Sequence, residues 1–264
     1  LMLGRALVGI AVGGFWSMSA ATIMRLVPEQ SVPKGLAILN GGGALATTLG
    51  APLGSFLGGL IGWRGAFFVV VPVAVAAVIW QWVALPSMPV ASERKGESVF
   101  GLLRRPAVIA GMVAVALLFT GQYALYTYLR PFLEQVTQVS VETLSALLLL
   151  IGVMGFLGTI LIARFVDQKR LHVTLAIMPA IMAALAIGLA GLGSSTAITA
   201  VLLALWGLVA TAAPVAWWTW IARTAPDAAE AGGGLMVAVV QLAITLGATV
   251  GGVVYDAAGP APEF

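Results

Sequence analysis

A stripe of aromatic and polar side chains recurs every three to four residues within one apolar run. Its members would share one face of a helix: Phe119, Gln122, Tyr123, Tyr126 and Arg130. Aromatic rings can stack on a flat solute, and amide and phenol groups can hydrogen-bond its edge, which suits a nucleoside or another uncharged polar solute. We therefore expect Gln122, Tyr123 and Tyr126 to bind a solute. The alternative, an aromatic belt at a membrane surface, fits Tyr128 and also Tyr126.

Two amides and a tryptophan could complete such a binding site. Asn40 and Gln241 lie in or near two apolar runs that an internal repeat relates to each other. A buried amide needs a partner, so either residue could bind a solute or form an ordinary interhelical hydrogen bond worth about 0.6 kcal/mol. We also expect the Trp16 side chain to face the cavity in which a solute would bind. A belt position is the expectation for a second group near Pro214: Trp217, Trp218 and Trp220.

Charged residues suggest two further roles. Arg5 places a full charge in an apolar run, which costs at least about 2.5 to 3.5 kcal/mol on insertion scales and indicates a function by default. The alternative is an arginine near the outer interface whose side chain reaches the headgroups. Asp167, Lys169 and Arg170 could form a cytoplasmic gate that breaks and reforms between two states. An ordinary solvated loop explains these three residues equally simply.

Enzymatic chemistry has no candidate residues in this sequence. There are no cysteines, and the single His172 cannot build a metal cluster alone. Metal-ligand spacing, a phosphate-binding loop and paired carboxylates inside an apolar run are all missing. The sequence therefore predicts a protein that is not an enzyme and that needs no cofactor or metal.

Composition defines the class of protein that must position these groups. Hydrophobic residues make up 61% of the chain and charged residues 9%, well outside the range of soluble proteins. The net charge of +3 comes from basic residues in short links between apolar runs, where membrane topology requires them. We therefore predict an all-α polytopic protein whose partner is the lipid bilayer and not nucleic acid.

The apolar runs predict eight membrane-spanning helices, each close to the roughly 20 residues that cross a bilayer. Their approximate limits are 1–24, 36–61, 66–85, 107–129, 143–163, 171–191, 197–221 and 233–255. The links after the first, third, fifth and seventh runs hold ten of the thirteen basic residues. By the positive-inside rule these links are cytoplasmic, so the first helix runs inward.

An internal repeat indicates two related halves. Arg25-Leu-Val-Pro-Glu29 is matched by Arg223-Thr-Ala-Pro-Asp227 at an offset of 198 residues (223 minus 25). A second match, between the Leu-Gly-Ala sequences at 49–51 and 246–248, has an offset of 197 (246 minus 49). Such repeats occur in transporters built from two six-helix halves. We expect residues 1–85 to be part of the first half, 86–106 to link the halves, and 107–264 to form most of the second.

The segment Leu45 to Leu60 repeats its residue types every four positions. Small residues form a smooth ridge along it, and a shorter ridge lies one repeat later: Ala46, Gly50, Gly54 and Gly58, then Ala243, Gly247 and Gly251. Small residues let membrane helices approach closely, and Pro52 should bend the first ridge. We therefore expect the two ridges to form one pseudosymmetric interface that opens and closes.

Two of these segments resemble motifs of the major facilitator superfamily. LGRALVGIAVGGFW is similar to the fourth-helix arginine motif of its proton-drug antiporters, and LGAPLGSFLGG to their fifth-helix antiporter motif, with Ala51 in place of the usual glycine. Further blocks resemble the purine ribonucleoside exporters of that superfamily, notably TGQYALYTYLRPF and PVAWWTWIARTAPDAAEAGGGLMVAVVQLA. Residues 163–170 are a degenerate copy of the superfamily's gating motif that lacks its glycines.

The resemblance implies a major facilitator fold in which the eight helices correspond to helices four to eleven of twelve. It further implies proton-coupled efflux of purine ribonucleosides such as inosine across a bacterial inner membrane, by a protein that is monomeric when complete. Arg5 would take part in proton coupling. This expectation rests on the resemblance alone, because the first helix, which usually carries a functional acidic residue in the family, lies outside this sequence. The alternatives are efflux of arabinose-like sugars or lipophilic drugs, and a non-transporting receptor or scaffold. Polar groups in mid-membrane favour a transporter, since a scaffold does not need them.

Overall fold

The computed structural model describes residues 2–87, 98–162, 164, 166 and 170–258. Within these ranges all regular structure is helical, and no strand occurs. The α-helices are α1 Met2–Leu26, α2 Val32–Ala84, α3 Val99–Leu102, α4 Pro106–Gln135, α5 Val141–Ile162, α6 Leu171–Leu192, α7 Thr196–Ala210, α8 Ala213–Thr224 and α9 Ala229–Ala258. Backbone that hydrogen-bonds within its own segment is what a lipid environment requires.

Two irregularities in the helices explain how the observed elements correspond to the eight predicted spans. α2 is divided at Gly62, whose φ of 73° and ψ of 162° suit glycine because it has no Cβ. α7 and α8 follow each other with only residues 211 and 212 between them, so the predicted span 197–221 is a broken helix. Taken this way, the long helices form eight segments, as predicted. Six stretches of the described chain are long and apolar enough to cross a membrane: Arg64–Ala84, Pro106–Gln135, Val141–Ile162, Leu171–Leu192, Thr196–Thr224 and Ala231–Ala257.

The chain divides into two compact units, one formed by Leu1–Ala44 with Gly96–Phe264 and the other by Leu45–Lys95. In the first unit α9 packs along both α4 and α1, and α5 packs along α7. Its core is built from large apolar side chains such as Phe132, Leu189 and Leu203, all fully buried. Other apolar residues of the same helices, such as Ile187 and Leu242, are exposed, as expected of helices that face lipid.

The second unit contains most of α2. Along the part of α2 after Gly62, many apolar side chains are exposed, among them Phe67, Phe68 and Trp82. Gly50, Gly54 and Gly58 lie on the helical part before Gly62, and a Cβ added at any of them would meet no described atom within 4 Å. The backbone at Pro52 is helical, but its side chain lies outside the described residues, so the bend expected there stays a prediction.

The sequence repeat has a structural counterpart. α1 ends at Leu26, the 3-10 helix Glu29–Ser31 follows, and α2 begins at Val32. One repeat later α8 ends at Thr224, the 3-10 helix Pro226–Ala228 follows, and α9 begins at Ala229. Each boundary is displaced by 197 or 198 residues, so the two sequence motifs build the same helix connection.

The tryptophans of α8 do not form the belt that their sequence suggests. Trp217, Trp218 and Trp220 are all buried, and the rings of Trp217 and Trp220 meet edge to face with centroids 5.5 Å apart. The ring of Trp220 covers Gly111 of α4 so closely that any side chain there would overlap it. The expectation of a belt was wrong because α8 is enclosed by α4, α6 and α9 and presents no face to lipid at these positions.

Candidate functional site

The aromatic stripe of α4 forms a continuous cluster of rings. Phe119 is buried, and its ring lies nearly parallel to that of Tyr123, with 6.5 Å between centroids and 19° between planes. Tyr126 meets Tyr123 edge to face at 6.2 Å and is 49% exposed. The stripe therefore runs from a buried ring to an exposed one along a single helix face, and offers flat apolar surface with phenol groups at its edge.

Gln122 supplies an unused hydrogen-bond acceptor beside these rings. Its Oε1 atom is buried and has no hydrogen-bond partner among the described residues. An unpaired buried polar atom costs free energy, so proteins seldom retain one without a reason. Which amide atom occupies this position is a matter of assignment, but either would need a partner. Gln122 thus offers the stripe a hydrogen-bond acceptor that a ligand could use.

Arg130 closes the stripe at one end. Its Nε donates to Oε1 of Glu134 at 2.8 Å, and both side chains are exposed. The pair neutralises the charge of the arginine and leaves the ring cluster with neutral groups only. A solute that binds along the stripe would therefore meet no net charge there.

Tyr128 points away from the stripe and joins α4 to α9. Its hydroxyl donates to the carbonyl of Ala248 at 3.1 Å, and its ring stacks on Tyr255 at 5.4 Å. Gly251 makes room for that ring, since an added Cβ would lie 2.9 Å from it. A Cβ on Gly247 would overlap the Thr120 carbonyl. This contact, and not a membrane-surface belt, explains Tyr128, and it occupies one face of the second glycine ridge.

The other expected site residues occupy different surroundings. Asn40 is buried, and its Nδ2 donates to the Leu36 carbonyl of its own helix at 2.8 Å. Trp16 lies edge to face with Phe15 and contacts α2 at Gly43. Gln241 lies on α9, exposed. The structure therefore draws the α4 residues into one cluster, while Asn40 has its hydrogen bond supplied locally.

Several expected functional side chains lie outside the described residues: those of Arg5 and Pro52, and all atoms of Asp167 and Lys169. Arg170 is described and caps the start of α6, where its carbonyl accepts a hydrogen bond from Thr174 Oγ1 at 3.0 Å. Proton coupling by Arg5 and the gate of residues 167, 169 and 170 therefore stay predictions.

An ion pair that sequence reasoning missed joins two links of the chain. Arg105, before α4, holds both carboxylate oxygens of Asp227 in the 3-10 helix after α8, one of them at 3.1 Å. The hydrogen bond from Arg105 is the main cause that lowers the pKa of Asp227 below its ordinary value. The signal was present in the repeated Arg-x-x-Pro-acidic motif, but only the fold could assign its partner.

Six long apolar helical stretches in the described part of the chain define a multi-pass membrane protein. The chain belongs to the Major Facilitator Superfamily, whose sequence profile matches residues 1–251. The resemblance inferred from its motifs is thereby confirmed at the level of the family.

Comparison with individual proteins agrees with this assignment. The chain is 57% identical over its whole length to the Transcription regulatory protein OpdE of Pseudomonas aeruginosa. It is 43% identical, over 97% of its length, to the Purine ribonucleoside efflux pump NepI of Salmonella paratyphi B. It covers 66% and 64% of the length of these relatives. Among solved structures, the human organic anion transporter MFSD10 (TETRAN) shares the fold, with a TM-score of 0.76 at 21% identity over 95% of this chain and 64% of that one.

Proposed function

We propose that this chain is part of a bacterial inner-membrane exporter of purine ribonucleosides such as inosine. The observation that carries the proposal is the buried Oε1 atom of Gln122, which has no hydrogen-bond partner among the described residues and shares a helix face with the stacked rings of Phe119 and Tyr123. A purine nucleoside has a flat ring system and several hydrogen-bond donors, so it matches both features. The proposal is further supported by the 43% identity to a protein named as a purine ribonucleoside efflux pump.

Each group of the stripe would have a separate task in binding. The base would stack against Tyr123, whose ring is already held parallel to Phe119. The Gln122 amide would hydrogen-bond the edge of the base, and the more exposed Tyr126 would contact the base or the sugar. Trp16, Asn40 and Gln241 are the remaining proposed substrate contacts, contributed by α1, α2 and α9. The paired charges of Arg130 and Glu134 would leave the site neutral and disfavour charged solutes.

Transport would follow the alternating-access scheme in which two related halves rock about a central site. Export would be driven by proton antiport, with Arg5 in the coupling step and residues 167, 169 and 170 as a cytoplasmic gate. The small residues Gly50, Gly54 and Gly58 would let a partner helix approach closely and slide past during transport. Substrate, protons and lipid would be the partners, and the complete protein would act as a monomer.

Uptake into everted inner-membrane vesicles tests this function in the complete protein. An exporter would concentrate labelled inosine inside such vesicles when respiration acidifies them. Uptake should collapse when an ionophore dissipates the proton gradient, while vesicles without the protein show none. Gradient-independent uptake would reject proton coupling, and absence of uptake would reject the exporter.

A competition panel against labelled inosine distinguishes the substrate classes. Purine nucleosides should compete, whereas arabinose and lipophilic drugs should not, because only a nucleoside combines a stacking surface with edge donors. Stronger competition by pentoses than by purine nucleosides would make the protein a sugar exporter, and stronger competition by drugs would make it a drug exporter.

A second candidate function, a non-transporting membrane receptor, is favoured by one observation: a relative at 57% identity is named a transcription regulatory protein. Such a receptor would use the same stripe to bind a solute without moving it across the membrane. It predicts saturable nucleoside binding to purified protein together with no uptake into vesicles. Binding and uptake measured on the same preparation separate the two candidates.

A further inference from the structure

We propose that the junction of α7 and α8 is a hinge, and that the hydroxyl of Thr159 on α5 is the latch that holds it. This inference concerns how the helix bends and does not depend on which solute the protein carries. Its starting point is Pro214, in the first turn of α8. Proline has no N–H, so the Ala210 carbonyl lacks the donor that a regular helix would supply from position 214.

The backbone next to Pro214 shifts its hydrogen bonding as well. The Val215 N–H donates to the carbonyl of Ala212 at 3.2 Å, three residues earlier. The carbonyl of Thr211, which would normally receive that N–H, is thereby released. Inside a membrane a released carbonyl must find another donor, because water is not available to it.

Thr159 supplies that donor from the neighbouring helix. Its Oγ1 lies 3.3 Å from the Thr211 carbonyl and 2.9 Å from the Gly155 carbonyl of its own helix, and the side chain is fully buried. One hydroxyl proton serves two acceptors, so Thr159 can release Thr211 and remain satisfied by Gly155. The contact therefore has two permissible states, as a latch requires.

Close packing explains why so short a side chain reaches across. Gly158 of α5 and Gly207 of α7 lie where the two helices meet, and a Cβ on either would overlap the backbone of the other helix. A Cβ on Gly155 would overlap the side chain of Thr211, just after α7. These contacts keep α7 fixed to α5 up to the junction. Beyond it, α8 packs mainly on α9 and α6, with Trp220 over Gly111 of α4. The helix is thus held mainly by α5 before the junction and mainly by α9 and α6 after it. We therefore place the bending at residues 211–214.

Hydrogen exchange measured by mass spectrometry on the complete protein tests the hinge without any transport assay. Thr159→Val keeps the shape and removes the hydroxyl, so amides of residues 211–217 should exchange about threefold faster, as expected for a membrane hydrogen bond of average strength. Thr159→Ser keeps the hydroxyl and should behave as the unmodified protein does. Thr219→Val is the matched control, because the Thr219 hydroxyl is buried and donates to the Val215 carbonyl of its own helix.

A second variant tests the hinge from the other side and does not require Thr159→Val to fold. Pro214→Ala restores an N–H donor to the Ala210 carbonyl, so exchange at 211–217 should slow and Thr159→Val should lose its effect in that background. The hinge is disproved if Pro214→Ala leaves exchange unchanged. It is also disproved if Thr159→Val raises exchange equally in α4, or if Thr219→Val reproduces its effect.

Discussion

Arg105 and Asp227 form a two-point ion pair although 122 residues separate them in sequence. Arg105 precedes α4 and Asp227 follows α8, so the pair brings together two links that the charge distribution assigns to the cytoplasmic side. It also attaches the Arg-x-x-Pro-acidic connection between α8 and α9 to the start of α4. The connection repeated in sequence is thus held in place by a residue outside the repeat motif.

Removing this ion pair should destabilise the protein slightly. Both side chains are partly exposed, at 33% and 55%, so we expect Asp227→Asn to lower the melting temperature by only about 2 °C. The exchange Arg105→Asp with Asp227→Arg should restore part of the loss. Glu134→Gln, which removes the exposed pair with Arg130, is the matched control and should have a smaller effect. Equal melting temperatures for the single and exchanged variants would show that the pair adds nothing.

The same pair should make stability depend on pH in a defined direction. Arg105 lowers the pKa of Asp227 in the folded protein, so the folded state favours the ionised carboxylate more than the unfolded state does. The contribution of the ion pair to the free energy of unfolding is therefore complete above the ordinary aspartate pKa of about 3.9. It is lost as the pH falls through the lowered pKa of Asp227. The melting-temperature difference between the unmodified protein and Asp227→Asn should stay constant from neutral pH downward and vanish only in strong acid. A difference that disappears near neutrality would contradict this assignment.

Gly158 should tolerate no side chain. An added Cβ would overlap the Leu208 carbonyl, and neither backbone can move without separating α5 from α7. We expect Gly158→Ala to cost about 1 to 3 kcal/mol through overpacking, measured as earlier heat-induced loss of tryptophan fluorescence. Gly121→Ala in α4 is the control, because its Cβ meets nothing within 4 Å and alanine favours helix. A harmless Gly158→Ala would mean that the two helices are further apart than described.

The two glycine ridges should respond differently to leucine. Gly54→Leu finds open space among the described atoms, so the protein should insert and melt normally, yet export should be blocked if this ridge moves against a partner during transport. Gly247→Leu would overlap the Thr120 carbonyl and should instead reduce the amount of folded protein. Membrane insertion, melting temperature and vesicle uptake distinguish these outcomes. Normal export by Gly54→Leu would reduce the first ridge to ordinary packing.

Gln122→Leu should lower export without lowering stability. Leucine removes the buried atom that has no partner, which should be neutral or stabilising. Loss of one substrate hydrogen bond should reduce inosine uptake about tenfold. Gln135→Leu is the control, because the Gln135 amide has a partner: it donates to the Tyr255 hydroxyl at 2.8 Å. This variant should lower the melting temperature and leave uptake intact. Unchanged uptake by Gln122→Leu would remove Gln122 from the site.

Much of the architecture could be predicted because it depends on local composition. The lengths of the apolar runs predicted the eight helical segments, because a helix needs about 20 residues to cross a bilayer. The repeat of Arg25 and Arg223 predicted two equivalent connections, and α1 and α8 do end in the same way. The face shared by Gln122 and Tyr123 also followed from helical spacing alone.

Partners across the bundle could not be predicted, because they depend on which helices become neighbours. Trp220 and Tyr128 read as residues of a membrane-surface belt, yet one covers Gly111 and the other binds Ala248. Aromatic side chains suit both settings, so sequence could not separate them.

The sequence by itself determined that this is an all-helical membrane protein, because hydrophobicity, charge in the links and helical periodicity are properties of short segments. Its motifs indicated the Major Facilitator Superfamily by resemblance. Only the tertiary structure decided that Asp227 pairs with Arg105, that Gln122 Oε1 has no partner in the described part of the chain, and that Thr159 reaches the carbonyl of Thr211. Those relationships join residues up to 122 positions apart, and they exist only once close packing has chosen which backbones touch.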